Sequence, residues 1–298
     1  MKLLVTGRKG QLTTSLLERG VLRDGVEVVT LGRPQLDLEA PETIRPAIEG
    51  AGADVVVNAA AYTAVDAAED EPERAFRVNA EAAGELAAAA RDSGARFIQI
   101  STDYVFDGAG EGYYDEEAPP RPLGVYGRSK LLGEQRVRQA DPSAAIVRTS
   151  WVYSPFGRNF VKTMLGLARA NDVVRVVADQ RGCPSSALDL AEGLLTMALA
   201  LARGPDDFPG STFHLTGHGE ASWAGFAELI FEEARRHHLP SARVEPIQTS
   251  QWPTRAERPK NSRLQSDRFA RDFGYCAPAW QESAAAVVAR LAQSPGGF

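Results

Sequence analysis

Tyr126 and Lys130 stand four residues apart in a segment whose pattern predicts a helix, which puts both side chains on one face. A tyrosine hydroxyl with an unperturbed pKa near 10 is a poor acid–base group at neutral pH, but a neighbouring ammonium stabilises its phenolate and lowers that value. With seven Tyr among 298 residues and five Lys, a Tyr-xxx-Lys pair arises by chance about 0.1 times. Its meaning therefore rests on its company. Asn58-Ala59-Ala60-Ala61-Tyr62-Thr63 and Ser101-Thr102-Asp103-Tyr104 both follow runs that predict strands, and open α/β sheets bind ligands at the carboxyl ends of strands. A further segment, Thr6-Gly7-Arg8-Lys9-Gly10-Gln11-Leu12-Thr13, leads from the first predicted strand into a helix. Glycines there let the backbone approach a pyrophosphate seated on the helix N-terminus. The spacing is GxxG, with Thr13 where the GxGxxG fingerprint has its last glycine. Read alone, the loop serves equally well as a strand-to-helix turn.

Other reactive side chains have plainer readings. His214 and His218 are four apart, but Gly217 and Gly219 break any helix that would align them as metal ligands. His237 and His238 close a helical pattern before Pro240, where His complements the helix dipole. The serines and cysteines lack a GxSxG elbow or a paired His. Asp115-Glu116-Glu117 reads as a solvated loop ahead of Pro119.

The elements that must position these groups alternate. Lys2 to Thr6, Val26 to Leu31, Asp54 to Asn58, Arg96 to Ile100 and Ala144 to Thr149 have the β-branched, unbroken apolar character of buried parallel strands. Helical patterns lie between them, the clearest from Pro72 to Asp92, with an acidic first turn and Gly94 as its stop. This alternation predicts an α/β fold: a Rossmann-like doubly wound parallel sheet in a dinucleotide-binding domain over residues 1–150, with sheet contributions from about 170–216. Residues 151–298 hold the connecting segments and a smaller mixed α/β C-terminal domain for the substrate, built mostly after Gly217.

Composition narrows the function classes. Hydrophobic residues make up 44% and charged residues 24% of the chain, and 33 basic against 39 acidic residues give a net charge of −6. That is globular composition with no basic footprint for nucleic acid and no attraction to an anionic membrane. Two cysteines fall short of a disulfide scaffold or a four-ligand zinc site and fit a reducing cytoplasm. The apolar run Leu3 to Val5 is too short for a signal peptide. Leu194 to Ala202 is less than half of a membrane span of about 20 residues. A cytoplasmic protein with a small-molecule substrate is expected.

Together the motifs resemble the extended short-chain dehydrogenase/reductase superfamily and, within it, the dTDP-4-dehydrorhamnose reductase family. GRKGQL, NAAAYTAVDAAE (58–69), STDYVFDG (101–108), VYGRSKLLGE (125–134), RTSWVYSPFGRNFV (148–161) and VADQRGCPSS (177–186) carry the resemblance, with FHLTGHGEASWAGFA (213–227) and RPKNSRLQSDRF (258–269). It implies that Gly7, Gly10, Gln11 and Leu12 hold the cofactor pyrophosphate, and that Asp37 and Leu38 border the adenine. Ala61, Tyr62 and Thr63 would line the ribose and nicotinamide side. Tyr126 is then the proton donor, Lys130 binds the nicotinamide ribose and lowers the Tyr126 pKa, and Thr102 hydrogen-bonds the substrate carbonyl. Thr102 and Asp103 would touch the sugar, Trp151 the sugar nucleotide and Asn159 its diphosphate. The implied reaction is hydride transfer from a reduced nicotinamide to carbon four of dTDP-4-dehydro-L-rhamnose. Reductases of other dTDP-4-keto-6-deoxysugars would share these residues, and a non-catalytic NADP-binding regulatory subunit of the same fold is the alternative outside catalysis.

Three departures from the family pattern stand out, the last at two positions. Thr13 replaces the last loop glycine, adding a side chain where helix and strand pack closely. Ser185 follows Pro184 where Thr is usual. Ser15 and Leu188 stand where relatives place glutamates for a magnesium ion at a dimer contact, so no metal is expected, and a monomer is as open as a homodimer. The second strand ends in Leu31-Gly32-Arg33, with no carboxylate before Asp37 to accept a ribose 2′-hydroxyl. Arg33, assisted by Arg8, could instead bind a 2′-phosphate; otherwise it is a solvated charge. NADPH is the expected cofactor, with NADH accepted.

Overall fold

The strand-forming runs at the centre of the sheet succeed because their apolar side chains find cover. The computed structural model, which describes residues 1–204 and 210–293, places Leu3 to Val5 and Val55 to Val57 fully out of solvent. In chain order the first half comprises β1 (Lys2–Thr6), α1 (Gln11–Gly20), β2 (Glu27–Leu31), α2 (Ile44–Ala51), β3 (Val55–Asn58), α3 (Val65–Ala68), α4 (Pro72–Phe76), α5 (Ala82–Asp92), β4 (Arg96–Thr102), α6 (Val125–Ala140) and β5 (Ala145–Thr149). There follow β6 (Val152–Tyr153), α7 (Phe160–Leu167), β7 (Val173–Val177), β8 (Arg181–Gly182), β9 (Ser185–Ser186), α8 (Ala187–Arg203) and β10 (Thr212–His214). The chain continues through β11 (Ala221–Ser222), α9 (Trp223–Arg236), β12 (Arg243–Ile247), β13 (Asn261–Ser262), α10 (Asp267–Phe273) and α11 (Trp280–Gln293).

Six strands form one parallel sheet in the order β10-β5-β4-β3-β1-β2. One face packs on α1, α8 and α10 through Leu16, Leu194 and Phe269, and the other on α2 and α5 through Ile48 and Leu86. The order reverses between β1 and β3, so the loops after these two strands diverge and open a crevice at their carboxyl ends.

The second lobe has its own core, in which Tyr153, Val161, Leu165, Val174 and Val176 meet Phe226, Ile230, Trp280 and Val288. This core reaches back to β6, although most of its residues follow Gly217. β7 departs from expectation: it pairs with β12 instead of joining the main sheet, so of the 170–216 segment only β10 adds a strand there. Exposed residues alternating with Val174 and Val176 along β7 suit a two-stranded ribbon, not a buried central strand.

The long helix expected over 72–92 is interrupted. Arg77–Glu81 forms a π turn between α4 and α5, which rotates Asn79 inward. Helix α6 then seats unusually close to this turn and to the end of β4. A methyl on Gly133 would lie 2.1 Å from the Asn79 carbonyl oxygen, and one on Gly127 would lie 2.2 Å from that of Tyr104. Both neighbours are backbone and cannot rotate away.

His214, on β10, is buried, with Nδ1 3.1 Å from the Tyr114 carbonyl and its ring edge-on to Phe106. Its contacts are those of a core side chain.

Gly133→Ala is expected to lower stability by about 1–3 kcal/mol or more through overlap with backbone. Gly50→Ala, in α2 with open space around it, should raise stability by about 0.5–1 kcal/mol. Urea denaturation of both variants checks the contrast. Burial and the nearby Arg148 push the His214 imidazole down to about 3. Its folded-state value lies below the unfolded one, so its contribution is complete above pH about 6.5 and lost as pH falls from there towards 3. Between pH 6.5 and 5 it should cost about 2 kcal/mol, and melting curves of His214→Gln should be flatter over that interval than those of the parent protein.

Candidate active site

The loop between β1 and α1 turns at Gly7, whose φ of +94° is left-handed and whose amide donates to the Leu31 carbonyl at 2.6 Å. Thr13 does not loosen this turn. It is buried, its hydroxyl reaches the Thr6 carbonyl at 3.4 Å, and it fills the space beneath Gly7 and Gly10. Helix α1 begins with Gly10 as a cap that offers no side-chain acceptor, and its first turn carries no acidic residue. Its leading N–H groups are thus left for an anion, which is what a pyrophosphate cradle requires.

Two adjoining cavities share Gly7, Lys9, Ala60 and Ala61. The first, about 610 Å³, is lined by Gly10, Gln11, Leu12, Thr63, Thr102, Asp103, Tyr126, Lys130, Trp151 and Arg158. The second, about 510 Å³, is lined by Arg8, Arg33, Asp37, Leu38, Tyr62 and Arg74. The sequence-derived residues thus fall along one continuous cleft, Asn159 excepted.

Within the larger cavity, Tyr126 and Lys130 project from α6 towards the end of β4. The Lys130 ammonium donates to the Ile100 carbonyl at 2.7 Å. Burial draws its pKa down to about 8, opposed by the carboxylate of Glu134 one turn further along the helix. Tyr126 is raised above its ordinary value, chiefly by burial, with a hydrogen bond to Thr102 acting the other way. The lowering of Tyr126 by Lys130 expected from the sequence has no counterpart in this arrangement, in which the ammonium is turned to the Ile100 carbonyl. Thr102 also donates to Asp103 Oδ1 at 2.9 Å. One hydroxyl hydrogen cannot serve Asp103 and Tyr126 together. Burial pushes the Asp103 carboxyl up to about 6.

Trp151 adopts a left-handed φ of +47°, an uncommon state for a bulky residue. Its ring is held by stacking on Trp223, with centroids 3.5 Å apart and planes 7° from parallel, and by Gly182, where any β-carbon would strike it. Asn159 faces elsewhere. It caps α7, accepting from the Lys162 amide at 3.2 Å and donating to the carbonyls of Ser154 and Phe156. With its amide fully committed it braces the loop, and the neighbouring Arg158 lines the cavity in its place.

At the other end of the cleft, Arg33 is exposed to solvent but paired. Its guanidinium pairs with Asp37 at 2.9 Å and with Glu39 at 3.1 Å, and Arg74 pairs with Glu39 at 2.6 Å.

The chain matches the family model described as RmlD substrate binding domain over residues 1–293. A dTDP-4-dehydrorhamnose reductase of Sinorhizobium fredii is 46% identical over 288 residues, covering 97% of each chain. This chain belongs to the dTDP-4-dehydrorhamnose reductase family. Among solved structures, the Clostridium acetobutylicum dTDP-4-dehydrorhamnose reductase aligns with a TM-score of 0.88 at 36% identity, covering 98% of this chain and 99% of that one. The Bacillus anthracis dTDP-4-dehydrorhamnose reductase, solved in complex with NADP, aligns with a TM-score of 0.86 at 34% identity, covering 96% and 98%.

Sequence reasoning about this family member overlooked Asn79, Glu134, Arg148 and Arg158. Asn79 accepts from the Tyr62 amide at 2.8 Å and donates to the Tyr62 carbonyl and to Ser129 at 3.0 Å, fixing the cleft wall to α6. A π turn leaves no mark in residue periodicity, so this role had no signal. Glu134 was readable, since it lies one turn after Lys130.

Arg33→Ala should lower kcat/KM for NADPH by about tenfold and leave NADH nearly unchanged. That is the low end for a charge-assisted hydrogen bond, because Arg33 must first exchange Asp37 and Glu39 for a phosphate. Equal losses with both cofactors, or none, would show that Arg33 does not read the 2′-phosphate.

Proposed function

We propose that this protein reduces the 4-keto group of dTDP-4-dehydro-L-rhamnose to a hydroxyl, with NADPH as reductant, giving dTDP-L-rhamnose. The observation that carries this reading is the convergence of Thr102, Tyr126 and Lys130 on one wall of a cavity floored by the Gly7–Thr13 loop. The names of the relatives, and the NADP held by one of them, point the same way.

Gly7, Gly10, Gln11 and Leu12 would hold the pyrophosphate, with Asp37 and Leu38 at the adenine end and Ala61, Tyr62 and Thr63 along the ribose. The bound dinucleotide supplies the hydride for carbon four. Thr102 would hold the ketone oxygen beside Tyr126, and Tyr126 would give that oxygen its proton as the charge develops. A phenol whose pKa burial has raised stays protonated at working pH, which suits a donor in a reduction. Lys130 would fix the nicotinamide ribose, Trp151 would pack on the sugar nucleotide, and Arg158 would supply the diphosphate contact that the committed amide of Asn159 leaves open. Asp103 would bind a sugar hydroxyl. The protein is expected to act in the cytoplasm as a monomer or homodimer, and among the described residues no helix is long and apolar enough to cross a membrane.

Loss of nicotinamide absorbance, followed with NADPH and a panel of dTDP-4-keto sugars, tests the reading, and turnover should be fastest with the rhamnose precursor. Tyr126→Phe should lower kcat by about 10²-fold or more while NADPH affinity changes little. Near-normal turnover by that variant would remove Tyr126 from the mechanism. NADPH binding without turnover of any keto sugar would favour a regulatory subunit.

A further inference from the structure

Lys130 and Glu134 are both buried, one helical turn apart on α6. They meet consecutive residues of β4: the ammonium donates to the Ile100 carbonyl, while the Ser101 hydroxyl donates to Glu134 Oε1 at 2.5 Å. Arg148 of β5 closes the group with two hydrogen bonds to the same carboxylate, Nε to Oε1 at 2.9 Å and Nη2 to Oε2 at 2.7 Å. We propose that Glu134 is a positioning residue that keeps the buried Lys130 ammonium charged for the dinucleotide, with Arg148 and Ser101 holding the carboxylate in place. This rests on the reading that Lys130 binds the nicotinamide ribose.

The surroundings make Glu134 the nearest compensating charge. On α6 itself, Arg138 is also drawn to Glu134 but is committed to the Gly210 carbonyl and the Thr212 hydroxyl. Asp103, from the turn after β4, faces Thr102 and raises Tyr126, not Lys130. Arg77, from the π turn, pairs outward with Glu81 and Glu85. Arg148 is held on the far side of Glu134, where its own charge is offset by that carboxylate and its guanidinium lies over the Phe106 ring. A buried ammonium without an anion nearby gives up its proton. Neutral Lys130 would lose the charge-assisted bond it offers a ribose.

Lys130 is one of five lysines in the chain, so lysine-selective carbon NMR can follow its titration without any cofactor, its signal being identified by loss in Lys130→Met. In the parent protein it should titrate near pH 8. In Glu134→Gln the titration should fall by about one pH unit, and in Glu134→Asp it should return most of the way. NADPH affinity should follow, falling about fivefold at pH 8 in Glu134→Gln and staying within about twofold of the parent at pH 6. If the unpaired Arg148 prevents Glu134→Gln from folding, the Glu134→Gln/Arg148→Gln double variant is read in the same way. A folded variant with lowered melting temperature and an unmoved Lys130 titration would overturn the proposal, leaving Glu134 a core ion pair alone. A parent protein without NADPH affinity would instead overturn the dinucleotide reading, and the titration would still decide what Glu134 does.

Discussion

The close seat of α6 on the carboxyl end of β4 is the constraint from which the rest of the site follows. Ile100, Ser101 and Thr102 are consecutive on the strand and meet Lys130, Glu134 and Tyr126, which recur every fourth residue on the helix. Such a match between a strand read residue by residue and a helix read turn by turn demands that the two backbones nearly touch. Gly127 and Gly133 allow the helix this seat, since a β-carbon on Gly127 would strike the Tyr104 carbonyl just after β4 and one on Gly133 the Asn79 carbonyl of the π turn. The cost is glycine within a helix, about 1 kcal/mol each in backbone entropy. What is gained is a phenol, an ammonium and a carboxylate in fixed register beside the sheet's crevice.

That register places charge where water does not reach, and burial dominates the resulting electrostatics. Lys130 and His214 are driven towards neutrality, as is Asp103, each by desolvation before any neighbour acts. Among these groups the buried Glu134–Arg148 pair is joined by two hydrogen bonds from the guanidinium to the carboxylate. Such a pair adds little net stability compared with well-packed apolar residues, yet breaking it by removing one partner is costly. Its position beside Lys130 gives it a use that stability alone does not explain.

The cleft depends on both lobes. Gln11, in the glycine loop, donates to the Val152 carbonyl at 3.3 Å and accepts from Ser154 at 2.8 Å, joining that loop to the segment that presents Trp151 and Arg158. Arg290 of α11 bonds Glu18 of α1 at 2.6 and 2.7 Å and lies over Phe156. Asp66, after β3, holds the backbone of Ala256 and the Arg258 guanidinium. Loops from the sheet and from the smaller lobe are thereby tied together around the cavity, so its two walls keep their spacing.

By itself the sequence determined the sheet and most of the lining. Buried parallel strands are written as unbroken apolar runs, and β1 to β5 lie within a residue or two of where those runs stand. Tyr126 and Lys130 share a face because helical spacing is local. The tertiary structure decided matters that turn on atoms distant in the chain. It sent β7 to β12, because an alternating strand needs a partner with one open face. It turned Asn159 into a loop brace by offering its amide two nearby carbonyls and an amide. It paired Arg33 with Asp37 and Glu39, and it inserted a π turn that brings Asn79 to Tyr62 and Ser129. Residue types and spacing state which groups a chain owns, whereas the partner each one takes is a competition among all groups within reach, and only the packed fold sets that reach.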